Sequence, residues 1–229
     1  TSGLLGWSSR AKVQAEIDAA DMAHAGIRQQ IENVELAAIS GNPELASYAS
    51  QAGASVFRTW CAQCHGAGAA GAKGYPNLLD DDWLWGGDIE AIATTIRHGI
   101  RNEEDPDARW SQMPAFGRDE LLEEPQIDAV VNYVMSLSGE PRDASVVEEG
   151  SQVFADNCAA CHGENAEGDR TQGAPNLADA IWLYGGDYDT LHETVTNARF
   201  GVMPSWTDRL SEAEIRSVAT YVHGLGGGE

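Results

Sequence analysis

The chain has 229 residues, 36 of them Asp or Glu and 14 Lys or Arg, for a formal net charge of -22. A field of that sign keeps a protein soluble, repels nucleic acid and steers basic partners toward it. No run of 18 or more apolar residues occurs, so no membrane span is expected within these residues. The four cysteines all fall in two pentapeptides, which leaves none for a disulfide.

The chain opens Thr1-Ser2, without an initiator Met or a signal-peptide pattern. It reads as a mature or truncated product. Leu4, Leu5 and Trp7 form an apolar patch too short for a helix, and Ser8 or Ser9 can cap the next element. From there Val13, Ile17, Ala20, His24, Ile27, Ile31, Val34 and Ala38 recur at steps of four and three. That spacing predicts one helix of about thirty residues with a single apolar stripe. Ser40-Gly41-Asn42-Pro43 stops it. The stripe must be buried against the rest of the chain or on a partner subunit, and both readings stand. His24 on the stripe reads as a packed residue, and Met22 and Met135 as packing on their helices.

Next come Cys61-Ala62-Gln63-Cys64-His65 and, later, Cys158-Ala159-Ala160-Cys161-His162. Two thiols two residues apart, followed at once by His, are the attachment signature of c-type haem. Each thiol adds across one porphyrin vinyl group, and the imidazole ligates iron. Zinc is the rival reading, but zinc ribbons bring their two pairs much closer together in sequence. Covalent attachment of haem normally occurs outside the bacterial cytoplasm, which points to the periplasm.

The surroundings of the two pentapeptides repeat. Val56-Phe57 and Val153-Phe154 lead into them, and Gly-rich loops follow at 66–74 and 163–173. Then come Tyr75-Pro76-Asn77-Leu78 and Ala174-Pro175-Asn176-Leu177, and next Trp83-Leu84-Trp85-Gly86-Gly87-Asp88 and Trp182-Leu183-Tyr184-Gly185-Gly186-Asp187. Asp88 and Asp187 are predicted N-caps. Residues 101–109 are an insertion of the first unit only. Met113-Pro114 and Met203-Pro204 follow, and each unit ends in a helix: Ile127, Val130, Val131, Val134 and Leu137 form one stripe. Ile215, Val218, Ala219 and Val222, behind a Ser211/Glu214 capping box, form the other. Gly139–Asp143 is the linker and Gly226-Gly227-Gly228 a frayed tail. No strand-like alternation appears, so the fold class is all-α.

Two haems c are therefore expected, with Cys61, Cys64, His65, Cys158, Cys161 and His162 holding them and Met113 and Met203 as sixth ligands. Thioether ligation raises the reduction potential, and a filled sixth position suits electron transfer and leaves no catalytic residue. Which Met serves which iron is open. Pro76 and Pro175 either accept the Nδ1 proton of the ligating His or are ordinary turn prolines. His98 is the rival sixth ligand of the first unit. Trp83 and Trp182 either cover a ring face or edge or are core residues, which differ little where the haem is the core, and Arg101, Arg109 and Arg199 either pair with propionates or make surface ion pairs.

Over nearly its whole length the chain resembles the dihaem c-type subunit of cbb3-type cytochrome c oxidases. The resemblance rests on the tandem pentapeptides, the Trp-Leu-aromatic-Gly-Gly-Asp repeat, Met113-Pro114-Ala115-Phe116-Gly117, and Gly3-Leu4-Leu5-Gly6-Trp7-Ser8-Ser9 ahead of the long helix. It implies two tandem class I cytochrome c domains: an arm over 1–50 after a membrane anchor missing from this sequence, then domains over 51–140 and 145–229. It implies delivery of electrons from a donor cytochrome c toward a monohaem subunit and the catalytic subunit, on the periplasmic side of the bacterial inner membrane. Oxygen reduction would occur elsewhere. The alternatives are a free dihaem carrier of the cytochrome c4 type, or a dihaem peroxidase or thiosulfate dehydrogenase with an open iron.

Overall fold

The structure, a computed structural model, describes residues 8–179 and 181–229; Leu4, Leu5 and Trp7 lie outside them. The fold is all-α, with isolated bridges but no strand among the described residues. Among the described residues no helix is long and apolar enough to cross a membrane.

Helix α1 (Ser9–Asn33) is capped by Ser8, whose hydroxyl accepts from the Ala11 amide. It ends earlier than the stripe predicts. At 100° per residue an unbroken helix would turn Leu36 about 140° away from Ile31. Both are buried, as is Ile39, because Val34 and Glu35 run extended and a single 3-10 turn (Leu36–Ala38) comes next. Arg216 donates to the Val34 carbonyl that the break frees. Of the residues in α1, Ile31 alone is buried; Val13, Ile17 and Met22 stand exposed, so Met22 does not pack within the chain as expected. His24 lies against Tyr48, ring centroids 5.4 Å apart.

Asn42-Pro43 starts a helix as well as ending the arm. The Asn42 side chain accepts from the Glu44 and Leu45 amides, with Pro43 at the first position of α2 (Pro43–Val56). A wide π-turn (Phe57–Cys61) joins it to α3 (Ala62–His65). Asp88 caps α4 (Ile89–His98), and Glu123 and Gln126 cap α5 (Glu124–Ser138) reciprocally. Then α6 (Val147–Asn157) runs on to α7 (Ala159–His162). Asp187 caps α8 (Tyr188–Asn197), and the Ser211/Glu214 box caps α9 (Glu212–His223).

The helices do not pack as two consecutive halves. Helix α9, at the end of the sequence, lies on α2 and α4, whereas α5, from the middle, lies on α6 and α8. Two glycines mark the crossings. A Cβ on Gly53 would fall 2.1 Å from the Ser217 carbonyl oxygen of α9, and one on Gly150 would fall 2.0 Å from that of Ala129 in α5. Only residues without a side chain allow the two backbones so close. One turn further on, Phe57 meets Tyr221 at 5.5 Å and Phe154 meets Tyr133 at 5.3 Å. The buried apolar residues divide the same way, into one cluster from Ile31 to Ile96 plus Trp206 to Val222, and another from Phe116 to Leu191.

The packing is not ordered as the expected sequence units 1–50, 51–140 and 145–229 are. Residues 110–199 form one continuous packing unit, here the inner unit. It is set into an outer unit made of residues from Ile31 to about 109 and from about 200 onward, α2 included. The physical reason is that α5 and α9 carry similar apolar stripes, so periodicity says that each is buried but not against which partner.

Candidate functional site

The π-turn and α3 bring Cys61, Cys64 and His65 to one wall of a cavity of ≈ 1410 Å³; α7 brings Cys158, Cys161 and His162 to another. Met113 and Met203 line the same cavity. The eight residues expected to hold cofactor therefore surround one continuous space.

The two histidines are held alike. The Pro76 carbonyl oxygen lies 3.1 Å from His65 Nδ1, and that of Pro175 3.0 Å from His162 Nδ1. A carbonyl only accepts, so Nδ1 carries the proton and Nε2 keeps its lone pair for a metal. Burial pushes both imidazoles below the usual histidine range, with the proline carbonyls opposing it. The neutral form is the one able to ligate iron. Burial, with the neighbouring Cys64 or Cys161 thiol adding to it, pushes Cys61 and Cys158 up to about 11.

Each methionine shares a buried cluster with the pentapeptide that its place in the sequence does not suggest. Met203 packs against the cluster that holds Cys61, Ala62, Leu78 and Trp83. Its amide and carbonyl both pair with Ile100, at the end of α4. Met113 packs against the cluster that holds Cys158, Ala159, Leu177 and Trp182. The two loops are anchored in matching ways. Three residues after Met203, the Trp206 amide donates to the Ile96 carbonyl of α4; three residues after Met113, the Phe116 amide donates to the Val195 carbonyl of α8. Ile96 and Val195 occupy corresponding places after the caps Asp88 and Asp187.

Sequence reasoning missed how the units face each other. Trp85 rests on Gly173, and Tyr184 rests on Gly74, whose amide donates to the Leu183 carbonyl. The third position of each Trp-Leu-aromatic motif thus covers the loop of the other unit; the signal was the aromatic at a matched position. Trp83 and Trp182 line the cavity. Trp83 Nε1 donates to the Gly227 carbonyl, the Glu229 amide donates to Gly87, and Arg170 pairs with Glu229 at 2.6 Å. The tail is therefore pinned across both units and is not frayed as expected, because its glycines let the chain pass beside Asp80 where a Cβ would not fit.

His98 is not in the cavity wall; its Nδ1 faces Asp105 at 3.1 Å. Arg101 and Arg199 line the cavity and Arg109 does not, and among the described residues none of the three makes an ion pair. Arg109 instead donates to the carbonyls of Trp85 and Ala91, and Arg199 lies over Tyr184 at 5.1 Å. Haem c fits this donor set: paired thiols, an imidazole with Nε2 free, and a thioether, all lining one largely apolar space.

Comparison with known proteins agrees with this chemistry. The family described as "Cytochrome C oxidase, cbb3-type, subunit III" matches residues 49–134 and 145–222. The chain is similar to the cbb3-type cytochrome c oxidase subunit CcoP of Cereibacter sphaeroides, 64% identical over all of this chain and 79% of the relative. It is similar to that of Rhodobacter capsulatus, 54% identical over all of this chain and 80% of the relative. The subunit FixP of Sinorhizobium medicae is 51% identical over all of this chain and 78% of its own length. The chain belongs to the family of subunit III of cbb3-type cytochrome c oxidases.

Proposed function

We propose that this protein is the dihaem electron-transfer subunit of a cbb3-type oxidase, with two haems c in one cavity and their methionines exchanged in sequence. Cys61 and Cys64 would hold one haem by thioethers, and His65 and Met203 would supply its iron ligands. Cys158 and Cys161 would hold the other, with His162 and Met113. Haem c supplies a one-electron centre that cycles between ferric and ferrous iron.

The residues around it do four things. Pro76 and Pro175 fix the imidazole tautomer and make Nε2 more basic. Met113 and Met203 would each offer a thioether to an iron and so deny that position to exogenous ligands. Trp83 and Trp182 keep water from the apolar wall. Trp85 and Tyr184 bring the two units into contact across the cavity. Electrons pass through, and no substrate is transformed in this chain; oxygen is reduced in another subunit.

In this reading the electrons come from a donor cytochrome c and go toward a monohaem subunit and the catalytic subunit, on the periplasmic side of the bacterial inner membrane. The exposed Val13, Ile17 and Met22 of α1 are available to that assembly. The observation that carries the proposal is the single cavity lined by both pentapeptides and both methionines.

The test is made on the complex purified from membranes. Two haems c per chain, co-purification with oxidase subunits and inertness of both reduced irons to carbon monoxide are the expected results. A protein that comes away alone, or that binds carbon monoxide fully at one haem c, would return the reading to a free carrier or a peroxidase.

A further inference from the structure

Arg101 stands at the start of the insertion that only the first unit has, and its backbone adopts φ 51°, the left-handed region that non-glycine residues seldom occupy. Its amide donates to the Arg109 carbonyl, closing the insertion on itself. Its side chain reaches both methionine loops. Nε donates to the Ser111 carbonyl at 2.6 Å, two residues before Met113. Nη1 donates to the Gly201 carbonyl at 3.1 Å, two residues before Met203. The guanidinium lies 5.6 Å from the centroid of Phe200, beside Gly201. In a chain with so few basic residues, this one is half-buried, and Arg101 faces no carboxylate among the described residues.

We propose that Arg101 is a positioning residue that sets both sixth ligands at once, tying the methionine loop of the inner unit to that of the outer. The rigid planar fork of a guanidinium holds two carbonyls in fixed directions, which the rotating donors of an ammonium do not. Loosening it releases Met113 and Met203 together, so the closure of one iron is coupled to the closure of the other. This rests on the proposed assignment of the methionines as ligands.

The test uses the full chain with both haems attached, as the R101A and R101K variants, with imidazole as probe of the ferric irons and a redox titration of each haem. R101A is expected to bind imidazole roughly tenfold to a hundredfold more tightly at both haems, the scale on which a lost charge-assisted hydrogen bond appears in an equilibrium. Both reduction potentials are expected to fall, because sulfur ligation raises them. R101K keeps the charge and is expected to leave at least one haem opened. Wild-type behaviour of R101K at both haems would show that charge alone matters and overturn the inference. So would an R101A response confined to one haem. Should alanine prevent haem attachment, the lysine variant decides. A wild-type protein already open at one iron would overturn the ligand assignment itself, and this inference with it.

Discussion

The inner and outer units carry the same parts and differ in how the chain supplies them. The inner unit takes its methionine loop, its helices α5, α6 and α8 and its pentapeptide from one uninterrupted stretch, 110–199. The outer unit is closed by α9, which comes after the whole of the inner unit in sequence. Its last contacts therefore carry the larger loop-closure entropy. The outer unit also has α1, which packs on its α2 and α9, and the insertion 101–109, whose Arg101 reaches the Ser111 carbonyl of its neighbour. The surroundings of the ligating histidines differ too: His162 is buried, while His65 is only partly so and Cys64 is exposed. Identical site chemistry is thus set in one locally closed unit and one that depends on the chain's far end.

The largest effect expected from this difference is seen by cutting the chain. A fragment of residues 110–199, matured with haem, should fold and keep Met113 on its iron by absorption spectroscopy. Fragments 51–140 and 145–229 should not, since each lacks the helix that crosses its own glycine. Methionine ligation in both of the latter would break the comparison.

Tyrosines at the crossings give the next effect. Tyr221→Ala should destabilise the unit holding Cys61, and Tyr133→Ala the unit holding Cys158, each by about 2 kcal/mol, toward the low side of large-to-small losses. Haem-specific unfolding followed by circular dichroism in the Soret region separates the two. The opposite assignment is what consecutive halves would give.

Much of this was legible in the sequence. The pentapeptides, the proline carbonyls behind them, and the caps Asp88, Asp187 and Ser211 are local features, set within a few residues of where they act. The break after Asn33 was not legible, because it depends on Leu36 and Ile39 sharing a core with Ile31 that belongs to distant helices. The exchange of α5 and α9 was hidden for the same reason. Both stripes fit either N-terminal helix, and only the close approaches at Gly53 and Gly150 choose between them. The tail looked loose because three glycines lack propensity, although that lack is what admits them beside Asp80 and Trp83.

A smaller effect sharpens the contact between units. Burial, then Asp179 of the inner unit and Asp80, push the Asp82 carboxyl above its usual range. Its charged form is therefore disfavoured by folding. The folded state holds this proton more tightly than the unfolded chain does, so this group costs stability at neutral pH. That cost disappears as pH falls through the raised folded value toward the unfolded carboxyl value, about 4. Asp82→Asn should raise the melting temperature slightly at pH 7, with the gain vanishing in acid. A gain that grew on acidification would contradict the assigned cause.

The central claim is that the methionines are exchanged, and proton NMR of the reduced holoprotein tests it most directly. In the ferrous state the methyl group of a ligating Met is shifted by the ring it faces and shows contacts to that haem, whose thioether bridges can be assigned by labelled cysteine. Contacts from Met203 to the haem of Cys61 and Cys64, and from Met113 to the haem of Cys158 and Cys161, are the predicted result. Contacts of Met113 with the haem of Cys61 and Cys64 would contradict it.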